Sequence, residues 1–266
     1  MGAIEGARAV GADCAQIWGS NPRAWAPPDT PAAAARAFGE AWRSAGLGPL
    51  VLHCPYMVNV ASPNAEFRRR SVRLAKATVA LAEEIGAHGV VVHSGAAGAS
   101  TPRPDALGTA ADSFTRIADA ASETLVLIEL MAGTTGAVAS TLLEARELFE
   151  ACGMHERLAV ALDTCHLFAT GYELDTADGV AACFAELRSV GLARRLRLVH
   201  ANDSKYPRGA HRDSHEHVGK GHIGERGFAA IVRQASVKRC PVVVETAGED
   251  ADRARDVATL RRLAGA

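Results

Sequence analysis

Seven short apolar runs recur along the chain, and stretches of helical spacing separate them. The runs occupy residues 14–18, 50–53, 90–93, 125–129, 159–163, 196–200 and 241–245. Near-continuous Val, Leu and Ile over four or five residues suits strands buried on both faces, as in a parallel sheet. In residues 65–87, Val72, Ala75, Val79, Ala82 and Ile85 fall on one stripe, and 106–122, 138–151, 176–190 and 251–264 are spaced alike. Gly86, Gly153 and Gly191 stand where helices should stop, just ahead of the next strand. Strand alternating with helix fixes the class as α/β. A chain of 266 residues is about the length of one (β/α)8 barrel, typically ~250 residues. No linker or composition shift divides it, so residues 1–266 are expected to form a single barrel domain.

The count is seven strands, one short of closure. The chain opens in helix, Gly2 to Val10, with no strand before it. The expectation is a TIM-type (β/α)8 barrel lacking its first strand, with a gap between the strands at 14–18 and 241–245. A natural start upstream would supply that strand, and a chain extended by roughly ten to fifteen residues is expected to be more soluble and more active.

The ends of the runs are where chemistry concentrates. Six of the seven end in His53, His93, Glu129, Asp163, His200 and Glu245. Barrel enzymes carry their working residues at the C-terminal ends of strands. His166 follows Asp163 by three residues, and beyond His200 come Asn202, Asp203 and a loop with His211, Asp213, His215 and His217. Several acids converging alone would repel or take up protons. Imidazole beside carboxylate is instead the ligand set of a borderline divalent metal. Nine or more such groups exceed the needs of one tetrahedral ion and suit two or three that share a carboxylate. Closely spaced ions are a device for displacement at phosphorus, so the residues alone point to a multinuclear metal hydrolase of phosphate esters.

Charge and cysteine content narrow the setting. The net charge of −1 excludes a body that grips nucleic acid with its whole surface, but not a local basic rim. Six scattered cysteines form no C-x-x-C pair, the N-terminus has no signal pattern, and no apolar stretch reaches the ~18 residues of a membrane helix. A cytoplasmic monomer with no membrane partner is expected.

Long stretches around these residues resemble the endonuclease IV family of zinc-dependent apurinic/apyrimidinic endonucleases. They are Leu162 to Tyr172, His200 to Lys205 and Asp213 to Gly224, supported by His53 to Asn59 and Val244 to Thr246. The resemblance implies three zinc ions, with manganese an alternative at one of them. His53, His93 and Glu129 would hold the first, and Glu129, Asp163, His200 and Glu245 the second. His166, Asp213 and His215 would hold the third. It further implies duplex DNA with abasic sites as the partner. A zinc-bound hydroxide would cut the phosphodiester 5′ to the lesion and leave a 3′-hydroxyl, with Glu129 bridging and orienting the attack. Arg23 and Tyr56 would meet the DNA at the lesion. Lys205, Arg208, Arg212 and Lys220, which flank the ligand loop, would contact phosphates. The chain departs from the family at the absent first strand, at Leu130 where Asn is usual, and at Ser94 where Pro is usual.

Two rival readings differ in metal content. A sugar isomerase or epimerase on a xylose-isomerase-like barrel would use one or two ions and leave His166, Asp213 and His215 surplus. A non-catalytic lesion binder would hold none. Gly219 to Gly224 fits G-x-G-x-x-G, but no apolar strand leads into it, which argues against a dinucleotide site. Arg68 to Arg70 reads as a solvated helix start, Trp25 and Cys165 as packing residues. His88, His155, His211, His217 and His222 read as surface residues or supports for the ligands.

Overall fold

A computed structural model describes residues 2–265. Strands β1 (Ala15–Trp18), β2 (Leu50–His53), β3 (Gly89–His93), β4 (Leu125–Glu129), β5 (Leu158–Asp163) and β6 (Leu196–His200) stand side by side. A small antiparallel pair, β7 (Asp203–Ser204) and β8 (His215–Glu216), follows, and β9 (Val242–Val243) returns to the main sheet. The order is β1-β2-β3-β4-β5-β6-β9, seven strands, every neighbour parallel. Around them run α1 (Gly2–Ala9), α2 (Ala32–Ser44), α3 (Ala65–Ile85), α4 (Arg103–Ala118), α5 (Leu142–Ala151), α6 (Thr164–Ala169), α7 (Ala177–Ser189), α8 (Gly224–Ile231) and α9 (Asp250–Ala264). No described helix is long and apolar enough to cross a membrane.

Local chemistry sets the helix ends. The Asn64 side chain accepts from the amides of Glu66 and Phe67 to start α3, and Gly86, at φ 73, stops it. Helix α5 begins at Leu142, not at 138 as the apolar spacing suggests. Thr141 and Glu144 form a reciprocal capping box there.

Alternation along the strands separates two cores. Val51, Val91, Leu127, Ala159, Ala161, Leu198 and Val243 fill the barrel interior, with Cys14 packed beside them. Their neighbours Leu50, Leu52, Val90, Val92, Val126 and Ile128 face outward under the helices. Side chains two residues apart on a strand share a face. His53, His93, Glu129, Asp163, His200 and Glu245 each lie two residues beyond an interior residue, so the parity that packs the barrel also turns all six toward its axis.

Strands β1 and β9 are the sheet's edges and do not pair through their backbones. The expected gap is nonetheless spanned by side chains. Cys14 Sγ lies 3.7 Å from the Val242 carbonyl, and the Gln16 amide donates to Glu245 Oε1 at 2.5 Å. Outside the barrel, Arg261 on α9 donates to Gly11 O at 2.7 Å and Asp13 Oδ2 at 2.8 Å. The result is a nearly closed seven-stranded barrel, not one with an open strand-wide slot.

Candidate metal centre

The strand-end residues and the loop residues converge at the C-terminal mouth. Four overlapping groups each bring their donor atoms within 4.8 Å of one another: His53, His93 and Glu129; Glu129, Asp163, His200 and Glu245; His166, Asp213 and His215; and Asp163, Cys165 and His215. Strands β2 to β6 deliver five of these residues from their last positions, and Glu245 lies two residues past β9. His166 comes from the first turn of α6, where the Asp163 side chain accepts the His166 amide at 2.9 Å. His215 opens β8, and Asp213 lies in the loop that joins β7 to it.

Glu129 is the pivot. It is 1% exposed, and its two oxygens face different groups. Oε2 lies 3.2 Å from His53 Nε2 and 3.3 Å from His93 Nε2, while Oε1 lies 3.1 Å from His200 Nδ1. His200 Nδ1 is also 3.2 Å from Glu245 Oε2 and 3.8 Å from Asp163 Oδ2. In the third group Asp213 spans both imidazoles, at 3.2 Å from His166 Nε2 and 3.0 Å from His215 Nε2.

Backbone carbonyls tie down one nitrogen in each of two rings, although His166 Nδ1 also lies 3.4 Å from Glu129 Oε1. His53 Nδ1 meets Cys54 O at 2.6 Å and His166 Nδ1 meets Leu130 O at 2.8 Å. A carbonyl only accepts, so Nδ1 carries a proton in both rings, and Nε2 is the nitrogen that would give up its proton to an ion. Nε2 of both His166 and His215 is buried, and the Asp213 oxygens beside them are not aligned to accept a hydrogen bond. Inward-facing ring nitrogens without aligned hydrogen-bond partners, beside ionised carboxylates at one barrel mouth, are what divalent ions of the zinc type require, and the donor set fits them.

The electrostatics agree with that fit. Burial opposes the imidazolium of His200, but Glu245, Glu129 and Asp163 outweigh it and hold the pKa at about 9. Burial likewise opposes His215, and Asp163 and Asp213 hold it at about 9. His166 rises well above its ordinary value against the same burial cost, through Asp163, Asp213 and Glu129. On the acidic side, burial raises and the imidazoles more than offset it, so Glu129 lies well below the usual carboxylate range and Glu245 and Asp213 lie below it. Without cations the cluster gathers protons on its histidines to balance its carboxylates.

Three residues absent from the expected set support it. Asn202, fully buried, donates to Asp163 Oδ2 at 2.6 Å and to Glu245 Oε2 at 3.2 Å. Its position in the run after His200 was its only sequence signal. Gln16 accepts from His200 Nε2 at 2.9 Å as well as bonding Glu245, and its inward parity on β1 is a signal that strand-end reading overlooks. Asp256, the buried acid of α9, bonds His217 Nδ1 at 2.8 Å, Thr246 Oγ1 at 2.6 Å and the Val218 amide at 3.0 Å. It thereby ties the segment after His215 to the segment after Glu245, and nothing in its local sequence announces it.

The G-x-G-x-x-G string wraps a protein carboxylate. Buried Asp203 accepts from the amides of Gly221, Ile223 and Gly224. A Cβ on Gly221 would come within 2.3 Å of Ser204 O. Two of the three departures from the family pattern, Leu130 and Ser94, are also structural here. Leu130 serves His166 through its backbone, and Ser94 Oγ donates to Ala139 O at 2.9 Å.

The basic and aromatic candidates are less uniform. Tyr56 is 61% exposed and packs on Trp18, which packs on His53, both at 4.7 Å between ring centres. The Tyr56 amide donates to Pro22 O, which brings exposed Arg23 to the same rim. Lys205 and Lys220 border one cleft with Glu216 and His222. Arg212 stacks over Tyr206 at 4.6 Å. Arg208 is not free in this way: it pairs with Glu173 at 3.4 Å and Asp175 at 3.7 Å. Trp25 packs against Phe67 with Arg70 over its ring.

Comparison with known proteins gives a consistent picture. Residues 4–263 match the family described as xylose isomerase-like TIM barrel. The probable endonuclease 4 of Streptomyces coelicolor is 37% identical over 260 residues, covering 97% of this chain and 88% of that protein. The probable endonuclease 4 of Methanoculleus marisnigri is 36% identical over 261 residues, covering 97% and 92%. The crystal structure of endonuclease IV from Thermus thermophilus superposes with a TM-score of 0.86 at 30% identity, covering 98% of this chain and 93% of that one.

Proposed function

The chain belongs to the endonuclease IV family of xylose isomerase-like TIM barrels, and from that premise we propose that it cleaves duplex DNA 5′ to an abasic site, leaving a 3′-hydroxyl, at a centre of three metal ions, zinc foremost. The observation that carries this reading is the buried Glu129 carboxylate, whose two oxygens face two separate donor groups.

When bound, such ions supply Lewis acidity: they acidify water at neutral pH and offset charge on the phosphate and the leaving oxygen. His53, His93 and Glu129 would hold one ion, Glu129, Asp163, His200 and Glu245 a second, and His166, Asp213 and His215 a third. A manganese ion is an alternative at one position. Glu129, kept ionised by its histidines, orients the attacking water and does not store its proton. Asn202 keeps Asp163 and Glu245 in place. Tyr56 and Arg23 at the rim meet the displaced sugar and its flanks. Lys205, Arg212 and Lys220 meet phosphates, whereas Arg208 is largely occupied by Glu173 and Asp175. A sugar isomerase on the same barrel would leave His166, Asp213 and His215 without work. Six free thiols and a DNA substrate suit the reducing cytoplasm, with the barrel acting as a monomer.

The test is cleavage of a duplex carrying one abasic analogue, with and without chelator. The expected result is a single 5′ incision whose product a polymerase extends, abolished by chelation. An intact duplex after zinc loading to three ions per chain would sink the proposal.

Binding should also be salt-dependent. Each phosphate contact contributes a slope of about −0.9 in log K against log salt, so the three rim cations Lys205, Arg212 and Lys220 predict roughly −2.7. Lys220→Ala should reduce that slope by about 1, and Arg208→Ala should leave it nearly unchanged. A flat salt dependence, or equal effects of the two substitutions, would refute this division of labour.

A further inference from the structure

Gln16 breaks the pattern of the barrel interior. It is in register with Val51 of β2 and shares its inward face. The other strands fill the interior with apolar residues: Val91, Leu127, Ala159, Ala161, Leu198 and Val243. A polar side chain in such a layer must have its hydrogen bonds met, and those of Gln16 are met by two proposed ligands from the far side of the seam. Its Nε2 donates to Glu245 Oε1 at 2.5 Å, and its Oε1 faces His200 Nε2 at 2.9 Å.

The two bonds determine each other. An ionised carboxylate only accepts, so the end of the amide facing Glu245 is the NH2. The end facing His200 is therefore the carbonyl, which also only accepts, and His200 Nε2 must carry the proton. That leaves Nδ1, the nitrogen 3.1 Å from Glu129 and 3.2 Å from Glu245, as the one that would exchange its proton for a bound ion. Glu245 needs such a tether because it lies beyond the two-residue strand β9, whose edge toward β1 has no backbone partner. Asn202 holds its Oε2 side at 3.2 Å, and Gln16 holds the other oxygen.

We infer that Gln16 is a positioning residue of the metal centre, fixing the ring tautomer of His200 and the orientation of Glu245 across the seam between β1 and β9. The inference rests on the reading of these side chains as metal ligands. Partners that orient a ligating imidazole typically matter by 10- to 100-fold in metal affinity.

Gln16→Met keeps the side chain's length and removes both bonds. With the full-length protein and zinc alone as the probe, chelator competition should show one of three ions held about 10- to 100-fold more weakly and the other two as in wild type. Nitrogen NMR of imidazole-labelled, zinc-loaded wild type should show His200 protonated at Nε2 and ligating through Nδ1. The wild-type spectrum decides the matter even if the variant does not fold. Wild-type His200 protonated at Nδ1, or a folded Gln16→Met protein holding three ions with unchanged affinity, would overturn this inference alone. A wild-type protein that takes up no zinc would overturn the metal centre and the inference together.

Discussion

Replacing Glu129 with glutamine is expected to leave the barrel folded and to slow abasic-site cleavage by at least ~10³, about 4 kcal/mol of transition-state stabilisation. The side chain is 1% exposed, so its shape matters to packing, and glutamine preserves that shape. What it cannot preserve is two acceptor oxygens. In wild type Oε2 serves the His53 and His93 side while Oε1 serves the His200 side. An amide must turn an NH2 toward one of them, where it repels a cation and cannot accept. One shared ligand is therefore lost to one of two ions whichever way the amide flips. Aspartate in its place would keep the charge but shorten the reach by a methylene, so Glu129→Asp should also be severely slowed. Single-turnover cleavage, metal content and thermal unfolding measured on the same preparations separate these effects. A glutamine variant that cuts within tenfold of wild type while holding its full metal complement would remove Glu129 from the bridging position.

The strand ends were legible because one physical rule wrote them. Parity places every second side chain of a parallel strand inside the barrel, and the last inward residue before the loop is where solvent and substrate arrive. His53, His93, Glu129, Asp163, His200 and Glu245 all obey it. Asp213 and His215 do not, because they stand on a loop braced by the short pairing of β7 with β8. Only the family resemblance selects them among His211, Asp213, His215 and His217. Gln16, Asn202 and Asp256 act through side-chain bonds to partners that one sequence does not pair. Gln16 lies 184 and 229 residues from His200 and Glu245, and no local pattern encodes such a distance. The late start of α5 is a different kind of miss. Thr141 and Glu144 were visible as a capping pair, but apolar spacing extended the helix through them. Counting strands located the unpaired seam between β1 and β9, but a count of backbone pairing carries no information on what side chains do across it. Cys14, Gln16 and Arg261 cross it with side chains.

Stripping the metal is expected to lower the melting temperature steeply, and more so at alkaline pH. An ion present at about 1,000 times its dissociation constant stabilises the folded state by ~4 kcal/mol, hence ~12 kcal/mol for three. The unfolding entropy is ~2 cal/mol/K per residue, about 0.6 kcal/mol/K for a chain this long, so the drop should be on the order of 20 °C. Protons on the histidines make up part of the loss at neutral pH. The folded-state pKa values of His200 and His215 are about 9, above the ordinary value of 6.5. A raised histidine contributes stability that is fully present below the unfolded pKa and is lost as pH rises through the folded one. The metal-free protein should therefore weaken between about pH 6.5 and 9, as its carboxylates lose their imidazolium partners. In zinc-loaded protein the ions take the place of those protons, so the same rise in pH costs it much less. Unfolding scans of stripped and zinc-loaded protein should show the gap between their melting temperatures widening from pH 7 to about pH 9.5. On the acid side both forms should weaken, because Glu129, Glu245 and Asp213 have lowered pKa values and lose their contribution as pH falls through them. A gap that stays constant or narrows above pH 7 would mean that protons on His200 and His215 do not stand in for the metal ions.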